Sequence, residues 1–511
     1  MTQQKKVQRK PPTDARVAGQ RRPWTIGVIT IIAVAAALTA FLNRGGGTQA
    51  NEMGMPPRGS AKGFNVLLVT FDTTRPDYLG CYGAQSARTP TIDALARTGT
   101  RFDNAVVTVP LTLPSHASIL TGQYPYRHGI RTNTGYELRP EQVSLAERLR
   151  NEKYDTAAFV ACFVLDARFG LNQGFDVYDF EASEKGNRGP ESVFSQRDAG
   201  LVSASAGGWL KNHFARNADR PFFLWVHYYD PHHPFESPLN EDPAFKDRPY
   251  DAEIAYADRE LARVIGEIQK AGAWDKTLTV FATDHGESRG EHGEETHGIF
   301  IYEATMRGGL IFSNPRLFMQ PQSIESHLAC TIDIAPTVLG LLGLAPLESA
   351  DGLDLTKTTP DPDRRIFLES VYPAEGRGCA PLFALRGLKD KFIFAPKSEY
   401  YDLKSDPHER LNLFSKAPVS LAPLEQEMRE LFAASPEIQA RGGSKRTMTQ
   451  QEISQLSSLG YFGGAETGDT NLLPDPKDQI ELFEQIDTAI DWVKQGRVEE
   501  GLKLAQELME K

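Results

Sequence analysis

Cysteine is scarce in this chain. Four residues among 511, Cys81, Cys162, Cys330 and Cys379, lie far apart and form no CxxC pair. That argues against a cysteine-built zinc site and identifies no disulfide framework. Basic charge is not in excess either. With 56 Lys and Arg against 67 Asp and Glu the net charge is −11, which gives no reason to expect a nucleic-acid partner. Long uncharged runs are few, and one stands out. Pro23 to Asn43 carries no charge, follows seven basic residues (Lys5, Lys6, Arg9, Lys10, Arg16, Arg21, Arg22) and is followed closely only by Arg44. The run is about as long as a bilayer-spanning helix requires. The asymmetric charge places residues 1–22 in the cytoplasm and the rest of the chain beyond the cytoplasmic (inner) membrane, as a single-pass protein with an extracytoplasmic domain. An uncleaved anchor fits better than a signal peptide, because the apolar stretch is long and "GTQA" is a poor cleavage site.

What remains is an ordinary globular composition, 40% hydrophobic and 24% charged, long enough for one large domain with accessories. Residues 44–62, rich in Gly and Pro, read as a flexible linker. From residue 63 short apolar runs recur: "FNVLLVTFD", "TAAFVAC", "FFLWVHYYD", "TLTVFATDHG" and "GGLIFSN". Helical patterns such as "AEIAYADRELARVIGEIQKAG" lie between them. The alternation predicts an α/β domain over 63–362 with a mainly parallel sheet and helices on both faces. A smaller α+β subdomain is expected over 363–465, where "FALRGLKDKFIFAP" reads as a hairpin. Residues 466–511 open as a linker and then give two amphipathic helices joined at Gly496. This hairpin resembles a single tetratricopeptide-type repeat, which cannot bury its own apolar face. It is expected to dock on the main domain or on a protein partner.

In open α/β sheets chemistry collects beyond the carboxyl ends of strands. Three of the apolar runs end in Asp or Asp-His. Asp72 ends the first, and Asp284 with His285 ends a later one, an oxygen and nitrogen pair that suits Zn or Mn. Each alone reads as a turn residue; together they read as a metal site. Six of the eleven histidines (His227, His232, His233, His285, His292, His297) fall between 227 and 297, with Asp230 and Glu287 among them. The tract "DHGESRGEHGEETHG" has no apolar period and must be a loop. Thr112 stands just before a helix expected to start near Pro114, whose free N–H groups would favour an anion. It is either a helix cap or a nucleophile activated by a metal held on Asp72, Asp284 and His285.

Seven motifs occur in a fixed order over residues 63 to 415: "NVLLVTFDTTRPDYLGCYG", "TPTIDALARTGTRFDNAV", "LTLPSHASILTGQYPYRHGI", "FFLWVHYYDPHHPF", "ATDHGESRGEHGEETHG", "DIAPTVLGLLG" and "YYDLKSDPHERLNL". The set resembles the sulfatases of the alkaline phosphatase superfamily. The resemblance implies a sulfatase-type α/β fold, a metal site, and attack by an activated nucleophile on a sulfate or phosphate ester. Asp72, Asp284 and His285 match the family's metal ligands. The second aspartate of the sulfatase Asp-Asp pair is here Thr73, which weakens a calcium site. Thr112 stands where sulfatases carry the cysteine or serine that becomes formylglycine, and threonine cannot become that aldehyde. His116 replaces an arginine, and His297 a substrate-binding lysine. In these respects the chain is similar to the superfamily's threonine-nucleophile members: nucleotide pyrophosphatases/phosphodiesterases, lipoteichoic acid synthases and phosphoethanolamine transferases.

The expected protein is therefore a membrane-anchored, metal-dependent hydrolase of phosphate or sulfate esters. Its divalent metal would be Zn or Mn, with Ca or Mg as alternatives, bound by Asp72, Thr112, Asp284 and His285. Thr112 would be the nucleophile. His232 or His297 would protonate the leaving oxygen, or both would hold a second metal. Arg75 and His116 would give support from behind. The substrate would be an envelope glycan or lipid-linked ester, or a small one. A phosphotransferase acting on a cell-envelope glycan or lipid is the alternative, and a non-catalytic scaffold is a reading of another class.

Overall fold

The structure, a computed structural model, describes residues 51–180, 196–217, 219–416, 418–439, 443–458, 461 and 473–509. The basic tail and the 23–43 run lie outside the described residues. Among the described residues no helix is long and apolar enough to cross a membrane. Of the 44–62 segment, the described part packs on the domain. Met53, Met55 and Ala61 are fully buried, and Ala61 N–H donates to the Leu341 carbonyl (2.8 Å).

Nine strands form the main sheet: β1 (Asn65–Phe71), β2 (Gly99–Val106), β3 (Asp155–Phe159), β4 (Val177–Asp179), β5 (Phe222–Tyr228), β6 (Thr277–Thr283), β7 (Arg307–Ser313), β8 (Gln322–Ile324) and β9 (Ala329–Cys330). Their order is β4-β3-β5-β1-β6-β7-β2-β8, with β9 also on β2. The sheet is parallel except for β7, which runs antiparallel to β6 and β2. Every residue of β5 and β6 is buried. A strand reads as a continuous apolar run when both its faces are covered, and these two are. Helices of seven residues or more are α1 (Pro90–Arg97), α2 (Thr112–Thr121), α3 (Leu145–Asn151), α4 (Ala199–Asn217), α5 (Pro249–Lys270), α6 (Ile334–Leu342), α7 (Pro418–Ala434), α8 (Gln450–Ser458), α9 (Ile480–Lys494) and α10 (Val498–Met509).

A second, antiparallel sheet follows: β10 (Ile366–Ser370), β11 (Leu382–Arg386), β12 (Asp390–Phe394) and β13 (Glu399–Asp402). The hairpin read in the sequence is β11–β12. Its strands alternate as half-buried strands do. Ile366, Leu368, Leu382, Ala384, Ile393 and Tyr401 join the main core. Phe367, Phe383, Leu385, Phe392 and Tyr400 face the other way onto Leu421, Leu424 and Met428 of α7. A buried bidentate pair, Arg131 to Glu369 (2.7 and 2.8 Å), ties β10 to the segment after α2.

The helical hairpin docks through its first helix. Phe483 of α9 is buried, Asp487 pairs with Arg377 (2.7 Å), and Glu484 accepts the Glu295 N–H (3.1 Å). Val498, Leu502 and Met509 of α10 stay exposed. Of the two expectations for this hairpin, the structure displays docking on the domain.

Candidate active site

The registers of β1 fix where the site forms. Phe71 pairs with Tyr228 of β5 on one side and Thr283 of β6 on the other. The residues leaving these ends, Asp72 and Asp284, therefore start side by side. Two further bonds hold them: Asp72 N–H donates to Tyr228 O (2.9 Å) and Asp284 N–H to Phe71 O (3.4 Å). Between them Thr73 adopts φ 47°, a left-handed conformation rare for a β-branched residue. In that conformation its N–H donates to Asp284 Oδ1 (3.2 Å), while its carbonyl accepts the Tyr250 hydroxyl (2.6 Å). Local strain of this kind collects at functional sites.

Asp72, Asp284 and His285 are fully buried, and one ligand atom from each lies within 4.8 Å of the others. His285 Nδ1 donates to the Gly286 carbonyl (3.0 Å). A carbonyl only accepts, so the proton sits on Nδ1 and Nε2 presents a lone pair. That lone pair faces Asp72 Oδ1 (3.7 Å), Asp284 Oδ2 (3.5 Å) and Thr112 Oγ1 (3.4 Å). Among the described residues Asp72 Oδ1 and Asp284 Oδ2 have no hydrogen-bond partner. Three electron-rich atoms converge, and the Thr112 hydroxyl is a donor beside them. Burial pushes the Asp72 carboxyl well above its ordinary value, and the charges of Asp284 and Glu287 push it further. Burial does the same to Asp284 and drives His285 far below its usual range. The set fits a divalent metal ion, and Asp72, Asp284, His285 and the Thr112 hydroxyl are the residues that would hold it.

The surrounding groups orient these ligands, as partners of metal-binding residues usually do. His227 accepts the Ala161 N–H on Nδ1 (3.3 Å), leaving Nε2–H to donate to Asp72 Oδ2 (3.2 Å). A chain of donors reaches the backbone of Thr112. Trp225 Nε1 donates to Thr70 Oγ1 (3.0 Å), Thr70 donates to His116 Nε2 (3.0 Å), and His116 Nδ1 donates to the Thr112 carbonyl (2.8 Å). Burial holds His116 down at about 4, so it supports the site as a neutral imidazole. Arg75 works farther out. It forks onto Asp77 and reaches Glu291 (2.6 Å) and the Glu287 carbonyl (3.3 Å), pinning the loop that follows β6.

Thr112 is not a helix cap. It is the first residue of α2; the capping position is Leu111, and no side chain caps it. The helix starts two residues earlier than Pro114, and its first turn offers little to an anion. Leu113 N–H already donates to Asn133 Oδ1 (2.8 Å), and Pro114 has no N–H.

His232 and His297 sit together, their rings 5.0 Å apart, and His297 lies 4.5 Å from the ring of His285. His297 Nδ1 meets Glu287 Oε1 at 3.0 Å. His232 Nδ1 donates to the His233 carbonyl (2.6 Å). Other members of the sequence cluster go elsewhere. His292 stacks on Tyr302, and His233 packs on Phe235. Asp230 accepts the Ala199 N–H at the start of α4 (2.9 Å). Tyr461 was invisible in the sequence. It enters from 164 residues beyond His297, and its hydroxyl meets His297 Nε2 at 3.2 Å. No spacing signal marks such a contact.

Asp230 offers a test of burial. Desolvation lifts its carboxyl from 3.8 to about 7. A raised folded value means that the native state holds the proton, so this group's contribution is complete below about pH 4 and is lost as pH rises through 7. Asp230→Asn keeps an acceptor for Ala199 and removes the titration. The fall in Tm between pH 5 and pH 8 should shrink by several degrees in thermal scans; an unchanged fall would show that Asp230 is ionised in the fold.

Residues 64–344 match the family model described as Sulfatase. The chain is 26% identical over 399 residues to the ulvan-active sulfatase of Formosa agariphila, covering 69% of this chain and 77% of that protein. It is 28% identical over 452 residues to human arylsulfatase A, covering 73% and 85%. In structure it resembles the phosphonate monoester hydrolase of Agrobacterium radiobacter, with a TM-score of 0.59 at 20% identity, over 75% of this chain and all of that one.

Proposed function

The chain belongs to the sulfatase family, within the alkaline phosphatase superfamily, as an ester hydrolase, and we propose that it cleaves phosphate esters through Thr112. One observation carries the proposal: the Thr112 hydroxyl lies 3.4 Å from His285 Nε2, beside two buried carboxylate oxygens that have no hydrogen-bond partner among the described residues. Uncompensated buried carboxylates destabilise a fold. An inert scaffold has no use for them.

A divalent cation on Asp72, Asp284 and His285 would supply Lewis acidity, lowering the pKa of the Thr112 hydroxyl and polarising a non-bridging ester oxygen. Thr112 Oγ1 attacks phosphorus, forming an Oγ–P bond as the P–O bond to the leaving group breaks in line. The leaving oxygen needs a proton, and hydrogen bonding distinguishes the two histidines. His232 spends its Nδ1 proton on a carbonyl, and burial keeps it neutral, so its Nε2 accepts. His297 is oriented by the Glu287 carboxylate on Nδ1, which leaves Nε2 facing the site, so it is the better placed of the two to pass a proton. Water then attacks phosphorus as the Oγ1–P bond breaks: one water proton goes to His297, the phosphate product leaves, and Oγ1 regains from solvent the proton it released in the first step.

Phosphate is favoured over sulfate because the formylglycine precursor is absent at 112. The relatives named for sulfate esters support the other order, and the family name need not describe the reaction. The run 23–43 and the basic residues before it support tethering to the outer face of a cytoplasmic membrane, which would suit an envelope substrate. The test is kcat/KM of the full-length chain, loaded with Zn or Mn, on an aryl phosphodiester, an aryl phosphomonoester and an aryl sulfate. A phosphoester should lead by at least ~10-fold. An aryl sulfate in the lead would overturn the phosphate assignment.

A further inference from the structure

The reacting groups are shut away from solvent. Thr112 and His285 have no exposed surface, and His232 and His297 keep 8% each. What fills the space between them is the phenol of Tyr461, itself 5% exposed. Its oxygen lies 3.2 Å from His297 Nε2 and 3.5 Å from His232 Nε2, and it shares a side-chain hydrogen bond with Thr112. The nucleophile and both histidines thus converge on one protein oxygen. An ester needs that position for its own oxygens if Thr112 is to reach phosphorus or sulfur.

We propose that Tyr461 is a built-in plug: its hydroxyl occupies the position of a substrate oxygen, and the side chain must withdraw before an ester can bind. The inference rests on the reading of Thr112 as nucleophile. The way Tyr461 is held suits a removable part. Its N–H donates to the Leu456 carbonyl in the last turn of α8 (2.9 Å). That nine-residue helix is anchored by buried Leu456 and by Glu452, which pairs with Arg446 (2.9 Å) and Arg168 (3.3 Å). A nine-residue helix held by such contacts is a weaker hold than the sheet that fixes the other site residues.

The experiment is diethyl pyrocarbonate labelling of His232 and His297 in the full-length chain, followed by mass spectrometry, with exposed His408 as internal reference. Tyr461→Ala should raise the labelling rate of both site histidines at least ~10-fold relative to His408. Arg168→Ala, which loosens α8 without touching the site, should raise it by a smaller factor. On an aryl ester, KM should fall ~10-fold in Tyr461→Ala with kcat within ~3-fold of the unaltered chain. Unchanged labelling in both variants would overturn the plug. So would a ~100-fold loss of kcat at constant KM, which would make Tyr461 a participant instead. Labelling needs no turnover, so it decides the plug even if Thr112 proves not to be the nucleophile.

Discussion

Thr112→Ala will lower kcat/KM at least ~10³-fold on every ester the enzyme accepts, with a loss of stability no larger than ~1–2 kcal/mol. The two halves of this expectation come from different features. The hydroxyl faces His285 Nε2 at 3.4 Å and the buried carboxylates, so it is placed for attack. The fold does not lean on it. Leu111 occupies the capping position of α2, His116 binds the Thr112 carbonyl and not its side chain, and the helix is held by its ten buried residues. Thr112→Ser retains an attacking oxygen and should recover turnover to within ~100-fold of the unaltered enzyme. Turnover that survives in the alanine variant, measured with the same metal load and an unchanged Tm, would sink the nucleophile assignment.

The sequence-level reading reached far into this site, and the reason is physical. Asp72 and Asp284 are each one residue past a strand, and strands buried on both faces are visible as apolar runs. Once β1 and β6 are neighbours, the register brings their ends together without further information. The antiparallel direction of β7 left no such trace, because "GGLIFSN" is equally apolar either way. Nor could periodicity separate Asp230, two residues past β5 and bonded to α4, from Asp72, one residue past β1 and facing the site. His233 and His292 joined the cluster by proximity along the chain, yet His233 packs edge-on against Phe235 and His292 stacks on Tyr302. Long-range arrivals were illegible altogether. Asn133 at the start of α2, and Tyr461 on the two histidines, are placed by tertiary packing alone.

Removing the divalent metal will abolish turnover and lower Tm by several degrees at pH 8, and Asp284→Asn will separate the two effects. Without a cation the fold must bury two adjacent carboxyls beside Glu287, and their values are raised above 3.8 by burial and by neighbouring negative charge. A raised folded value means that the apo protein is most stable when these groups are protonated and loses stability as pH climbs above about 4 through the folded values. A bound cation relieves that loss and, at about 100 times its Kd, adds ~2.7 kcal/mol. At pH 5 it must first displace protons, so the metal-dependent rise in Tm should be smaller there than at pH 8. In Asp284→Asn the amide oxygen still accepts the N–H groups of Thr73 and His285, bonds of 3.2 and 2.8 Å in the unaltered chain. The amide nitrogen replaces Oδ2, which lies 3.5 Å from the His285 lone pair, and supplies a donor there. The metal-free variant should therefore melt higher than the metal-free parent at pH 8, gain nothing from added Zn or Mn, and turn over at least ~100-fold more slowly. If the variant instead melts lower and still responds to metal, Asp284 is a structural carboxylate and the cation is held elsewhere.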